Sequence, residues 1–120
     1  MSNDPEPPMS INVPLAALIN LGLEHWRLAG AIGPSPDAPA ARHALRRIGD
    51  FLSLCELDVR VLDGRAFDPG LAACVIDTVD DPALPLGVVL IDETLSPMVL
   101  WRGRVVKAAD VVTRQGTLTN

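Results

Sequence analysis

Few side chains of this 120-residue sequence stand where they could do chemistry. His25 and His43 fall in different helical segments, and no cysteine or acidic cluster surrounds them at metal-ligand spacing. No serine lies in a G-x-S-x-G motif, and Gly30 and Gly33 lack the following lysine of a phosphate-binding loop. Since no nucleophile–base pair and no metal-ligand cluster can be found, the sequence predicts a protein that is not an enzyme and needs no cofactor or metal.

Acidic residues are frequent in the C-terminal half of the sequence. Paired carboxylates there could do general acid–base work or bind a divalent cation. Because Asp80-Asp81-Pro82 is a turn sequence, we interpret the group as solvated loop acids. Its members are Asp77, Asp80, Asp81, Asp92 and Glu93.

A basic group beside a tryptophan is the better candidate for a binding site. Arg102 and Arg104 would share a face of a strand, and Lys107 follows three residues later. A cationic strand edge could dock an acidic partner and steer its approach. The same charges could instead keep an edge strand from aggregating. Trp101 could anchor an interface or belong to the core.

Composition excludes several classes of partner. The net charge is −5 with a sequence pI of about 4.8, and aromatic residues are 3%, so nucleic-acid binding is disfavoured. Cys55 and Cys74 lie in apolar surroundings and indicate reduced, buried thiols rather than a disulfide framework. No secretory signal and no membrane-length apolar run is visible. We therefore expect a cytoplasmic protein that binds no membrane.

Two amphipathic segments predict helices at residues 12–29 and 40–54. The second repeats apolar residues at i, i+3, i+4 and i+7, which indicates one buried face. Asn12 or Ser10 would cap the first helix, and Pro14 suits its first turn. A lone helical hairpin with two wide apolar faces is under-buried, so we expect a homodimer that forms a four-helix bundle. The residues expected at that dimer interface are Leu18, Trp26, Leu45, Ile48, Phe51 and Leu52.

Short β-branched runs separated by turn residues fill the rest of the chain. They predict about four to six mostly antiparallel strands, with turns at Asp63-Gly64 and Pro69-Gly70 and a hairpin around Arg102-Gly103. Residues 71–75 fit a helical turn or a strand equally well. The expected fold class is α+β, a helical hairpin followed by a small β-domain. The expected divisions are a disordered arm at 1–11, the hairpin at 12–56, the β-domain at 57–114 and a tail at 115–120.

The order of these pieces resembles the C-terminal β-domain of the GrpE family, the nucleotide exchange factors of DnaK-type chaperones. That domain carries an (F/L)-D-P block, a spacer proline and a final G-R-x-(L/I)-R-x-A-x-V block, and Lys107 stands where the family has the second arginine. The resemblance covers the region from the first block to the last without a gap. The matching residues are Phe67, Asp68, Pro69, Val75, Pro85, Leu100 or Trp101, Gly103, Arg104, Val106, Ala109 and Val111.

The resemblance implies a protein that docks on the nucleotide-binding domain of a DnaK-type chaperone or chaperone-like ATPase and promotes ADP release. It also implies a dimer built by the helical hairpin. Arg104 and Lys107, with Arg102 and Trp101 beside them, are then expected to contact the partner. The turn that precedes them would be held by Asp68, together with Pro69.

Three departures from the family pattern leave an alternative open. The long N-terminal paired helix of the family is missing, and Ala72 replaces the histidine of the first block. Met98-Val99 replaces the family's Gly-Tyr, and Pro85-Leu86 replaces its Pro-Gly. These departures favour a GrpE-derived dimeric adaptor without exchange activity, whereas the retained G-R-x-x-K-x-A-x-V run favours exchange.

Overall fold

Two helices open the described part of the chain, which comprises residues 9–34 and 37–118 of a computed structural model. Helix α1 spans Leu15–Ile32 and helix α2 spans Pro39–Leu54. The chain enters α1 through Pro14, which lacks a side-chain capping bond, so the cap expected from Asn12 or Ser10 does not form. The two helices pack against each other as a hairpin, as the apolar spacing predicts.

Six strands follow and form two separate three-stranded sheets. Sheet A has the order β1-β4-β5 and sheet B the order β2-β6-β3. Three of the four strand pairings are antiparallel, and only β2 runs parallel to its neighbour β6. The predicted α+β class with mostly antiparallel strands is therefore confirmed. The strands are β1 (Leu57–Arg60), β2 (Ala73–Asp81), β3 (Val89–Ser96), β4 (Met98–Trp101), β5 (Arg104–Lys107) and β6 (Ala109–Gly116).

Strand β4 lies between two hydrophobic cores and contributes to both. Because side chains alternate along a strand, Met98 and Leu100 point to one face, and Val99 and Trp101 to the other. The first pair joins the core beneath sheet B, and the second joins the core between sheet A and the helices. Sheet A is therefore the middle layer, with the helices on one side and sheet B on the other. Strand β4 contacts both outer layers through its two faces.

Sheet A covers much of the helix face that the sequence assigns to a dimer. Leu18, Leu45 and Leu52 are buried within the protomer, and Leu18 and Leu52 share one core with Leu57 of β1 and Val99 of β4. Trp26 and Ile48 are half-buried. Phe51 is 45% exposed. Three further aliphatic side chains on the helices are also exposed: Leu21 at 38%, Leu28 at 50% and Leu54 at 81%.

The β-region differs from the predicted boundaries in two places. Strand β2 resolves the ambiguity at 71–75 in favour of a strand from Ala73. It includes Asp80 and ends at Asp81, where the expected turn begins, because the Asp81 carbonyl accepts the Leu84 N–H at 3.2 Å. Strand β6 runs to Gly116, past the boundary drawn at 114, because the Gly116 N–H donates to the Val88 carbonyl at 2.9 Å. Residues 1–8, most of the expected arm, and residues 119–120 lie outside the described residues.

Candidate functional site

A tight turn joins β4 to β5 and carries the basic group. Trp101 pairs with Arg104 across the hairpin, which leaves Arg102 and Gly103 as the two turn residues. Their φ angles are 51° and 78°, and positive φ at both positions is what a type I′ turn requires. Arg102 therefore lies in the turn, so the expectation that it shares a strand face with Arg104 was wrong.

This turn is fastened to the end of helix α2. The Arg102 backbone N–H donates to the Glu56 carbonyl at 3.0 Å, and its Nε donates to Glu56 Oε2 at 2.8 Å. The Arg102 guanidinium also lies 4.5 Å from the centroid of the Trp101 ring, within cation–π range. Trp101 Nε1 donates to the Cys55 carbonyl at 3.1 Å. These contacts fix the hairpin's direction relative to the helices.

The basic residues differ in how free they are to meet a partner. Arg104 is exposed, and among the described residues its side chain has no hydrogen bond or ion pair. Lys107 is half-buried, and its Nζ donates to Ser96 Oγ at 3.1 Å and to the Ala108 carbonyl at 3.3 Å. The two residues stand at opposite ends of β5, roughly 10 Å apart along the strand. The structure therefore presents Arg104 as the available cation of this group.

The Asp68-Pro69 turn forms as expected but stands apart from the basic group. Asp68 Oδ1 accepts the Gly70 N–H at 3.0 Å, and the Asp68 carbonyl accepts the Leu71 N–H at 2.8 Å. Phe67 and Leu71, on either side, pack on the core beneath sheet B. The turn thus fixes the path of the chain into β2. No hydrogen bond or ion pair within the described residues joins it to Arg104.

The acidic group lies on strands rather than in loops, which corrects the interpretation from the turn sequence. Arg114 on β6 donates to Asp81 Oδ2 at 3.2 Å and to Asp92 Oδ1 at 2.7 Å, so it bridges β2 and β3. The hydrogen bond with Asp81, followed by the charge of Asp92, raises the pKa of Arg114 above its ordinary value. Asp80 accepts a hydrogen bond from Gln115 at 2.9 Å. Asp80, Asp81 and Asp92 therefore belong to cross-strand contacts on sheet B.

The remaining candidates for chemistry are scattered. His25 Nε2 lies 2.7 Å from the Leu45 carbonyl and lines an apolar cleft of about 280 Å³ between the helices and β1, whereas His43 is exposed on α2. Within residues 9–34 and 37–118, no three His, Cys, Asp or Glu side chains gather where they could hold a metal ion. Both cysteines are free thiols, and Cys74 is exposed rather than buried as expected. Neither described helix combines the length and apolarity needed to cross a membrane.

Glu56 is the residue of this site that sequence reasoning missed. It adopts a positive φ of 64° directly after α2 and meets Arg102, 46 positions further along the chain. A lone glutamate after a helix carries no local signal of such a contact. Only the packing of sheet A on the hairpin brings the two residues together.

No family model matches the chain, and no curated protein matches it either. A functional assignment must therefore be argued from the residues described above.

Proposed function

We propose that this chain is a short GrpE-like co-chaperone. It docks its β-region on the nucleotide-binding domain of a DnaK-type chaperone, or of a chaperone-like ATPase, in the cytoplasm and promotes release of ADP. The support is the order of elements, a helical hairpin before small sheets, together with the run of motif residues from Phe67 to Val111. A chaperone of this kind is also the partner that the resemblance names.

The observation that carries the proposal is the state of Arg104. Its side chain is exposed and unpaired within the described residues, yet its backbone follows a turn that is fastened to α2. A cation held on a rigid support loses little conformational freedom when it meets a carboxylate, so more of the interaction energy appears as affinity. Arg104 is therefore the residue expected to contact an acidic surface of the ATPase.

The mechanism is a shift of populations rather than chemical catalysis. A nucleotide-binding domain samples closed and open clefts, and ADP leaves from the open form. A protein that binds the open form more tightly raises its population in proportion to that difference in affinity. The β-region needs only to fit the open cleft better than the closed one, which agrees with a docking surface built from charge and shape.

The proposal includes a homodimer formed by the helices. Four aliphatic or aromatic side chains on α1 and α2 are between 38% and 81% exposed, and apolar surface of that kind is buried when helical hairpins associate. Phe51 belongs to the interface expected from the sequence, and three further residues join it here: Leu21, Leu28 and Leu54.

The test is release of a fluorescent ADP analogue from the DnaK-type chaperone of the same organism. The protein should accelerate release, and Arg104→Ala should remove most of the effect. Arg27→Ala is the matched control, because Arg27 is an exposed arginine on α1, far from the β4–β5 hairpin in the sequence. Absence of any acceleration at saturating protein, with the chain folded by circular dichroism, would contradict the proposal.

One observation favours the adaptor alternative. Met98 and Val99 stand where the family has Gly-Tyr, and both are buried, one in each core of the chain. These positions therefore cannot offer side chains to a partner. An adaptor would still bind the ATPase or another protein in a pull-down assay, but it would leave the rate of ADP release unchanged.

A further inference from the structure

The two edges of sheet B are treated differently by the fold. Strand β3 is covered by the segment that connects β1 to β2. The Gly64 N–H donates to the Ile91 carbonyl at 2.8 Å, and the Phe67 N–H donates to the Val89 carbonyl at 2.9 Å. The Ile91 N–H also donates to the Arg65 carbonyl at 2.8 Å. Strand β2 forms the opposite edge. Within the described residues, this nine-residue strand therefore has no strand paired with its outer side.

Strand β2 also exposes apolar side chains at this edge, which a bulge interrupts between Val75 and Asp77. Val75, Ile76 and Val79 are 42%, 59% and 44% exposed. The strand contains no lysine and no proline, the residues that commonly keep edge strands from pairing. The Thr78 N–H donates to Asp77 Oδ1 at 2.8 Å, and this hydrogen bond is exposed to solvent. That solvent-facing bond can be exchanged for a bond to the carbonyl of an added strand.

The charge of sheet B indicates which kind of strand would fit. Its three strands carry six acidic side chains and one basic side chain. The basic residue, Arg114, is already engaged by Asp81 and Asp92. Asp77 is exposed, and no cation pairs with it within the described residues. Opposite charges across neighbouring strands stabilise pairing, and like charges oppose it.

We propose that β2 is a docking edge that adds an extended, basic segment of a partner protein to sheet B. Main-chain hydrogen bonds to the open edge supply affinity, and basic side chains on the face of the added strand that neighbours Asp77 supply specificity. A second copy of β2 is a poor occupant, because full-length antiparallel pairing would bring two acidic strands together. This interface is independent of the proposed exchange function, which uses sheet A.

The probe is a fluorescent peptide as long as β2 that alternates valine with lysine, followed by anisotropy at low salt. One control peptide replaces each lysine by glutamate. The other keeps the sequence and charge but carries N-methyl groups on alternate backbone amides, which removes donors without changing electrostatics. The proposal expects the basic peptide to bind and both controls to bind at least about tenfold more weakly.

Matched protein variants locate the site. Asp77→Lys should weaken binding by at least about fivefold, whereas Glu93→Lys, the same charge change on covered strand β3, should alter it less than about twofold. Asp77→Asn keeps an acceptor for the Thr78 N–H and serves if the lysine variant does not fold. Equal binding of the N-methylated peptide would overturn the proposal, since attraction would then be purely electrostatic. A dimer in light scattering that Asp77→Lys abolishes would also overturn it, because a second copy would then occupy the edge.

Discussion

Sheets A and B share the core around β4 and β6, but their surfaces carry opposite charge. Sheet A carries three basic side chains and one acidic one on its strands, whereas sheet B carries six acidic and one basic. The outer edge of sheet A is the four-residue strand β5, which bears Arg104 and Lys107. The outer edge of sheet B is the nine-residue strand β2, which bears aliphatic side chains and aspartates.

This difference separates two ways in which an edge strand can meet a partner. A short, cationic edge resists pairing with another strand and is suited to docking through its side chains. A long, open edge offers its backbone and is suited to addition of a strand. The net charge of −5 conceals this separation, because it averages a basic end with a strongly acidic sheet. The following variants test whether the two sheets are separable.

Gly116→Ala should have the largest effect on stability. A Cβ there would lie 2.6 Å from the carbonyl carbon of Pro85 and 2.8 Å from the Leu84 oxygen, both backbone atoms that cannot rotate away. We expect a loss of about 3 kcal/mol in unfolding free energy by urea denaturation. Hydrogen exchange should accelerate in β6 before β4 if sheet B opens separately. Gly30→Ala, where a Cβ meets open space within α1, should instead stabilise by up to about 1 kcal/mol.

Val99→Ala and Val111→Ala compare the two cores directly. Both side chains are completely buried, Val99 against the helices and Val111 beneath sheet B. Each truncation should cost about 2 kcal/mol, because two methyl groups are lost from a packed core. The unfolding transition followed by tryptophan fluorescence should differ between the two variants. Trp26 and Trp101 both belong to the layers formed by the helices and sheet A, so their fluorescence reports on that part of the protein. Coincident transitions by fluorescence and circular dichroism in both variants would show one cooperative unit.

Arg102→Ala measures how firmly sheet A is fastened to α2. The Arg102–Glu56 ion pair is 63% and 58% exposed, so its contribution is small, and the contact with Trp101 adds to it. We expect a loss of about 1 kcal/mol in unfolding free energy. A double-mutant cycle with Glu56→Ala should give a coupling energy of a few tenths of a kcal/mol. Additive losses would show that the ion pair contributes nothing to the stability of the turn.

Arg114→Gln should have the smallest effect at ordinary salt. It removes the sole cation from sheet B and leaves Asp81 and Asp92 facing each other without a bridge. The melting temperature should fall slightly at low ionic strength and recover as sodium chloride screens the carboxylates. Arg27→Gln, which breaks an exposed pair within α1, is the control for general salt effects. Unchanged salt dependence in Arg114→Gln would contradict the view of sheet B as a self-repelling acidic surface.

Local patterns in the sequence predicted the elements better than their ends. The i, i+3, i+4 spacing in α2 and the Arg102-Gly103 turn were sufficient because each depends on residues close in sequence. The end of β2 was missed because Asp80-Asp81-Pro82 favours a turn locally. Pairing with β6 extends the strand to Asp81 instead.

The sequence predicted which residues form the candidate site, but it did not predict which of their side chains are paired and which are free. The basic residues and Trp101 are indeed neighbours, because they occupy one short hairpin. Whether each cation is free depends on partners distant in the chain. Arg102 is held by Glu56, 46 residues earlier, and Lys107 by Ser96, 11 residues earlier. Arg104 is left available for lack of such a partner within the described residues.

The α+β class, the helical hairpin and the turns follow from residues close together in the chain, since backbone propensity and apolar periodicity act over a few residues. Which apolar residues are buried within the protomer depends instead on how the helices and sheets pack. Sheet A covers Leu18 and Leu52, a pairing that no periodicity encodes. The same packing decides that β2 is an open edge and β3 a covered one. The physical reason is that hydrogen bonding between strands depends on which segments meet in space, and sequence spacing does not fix that.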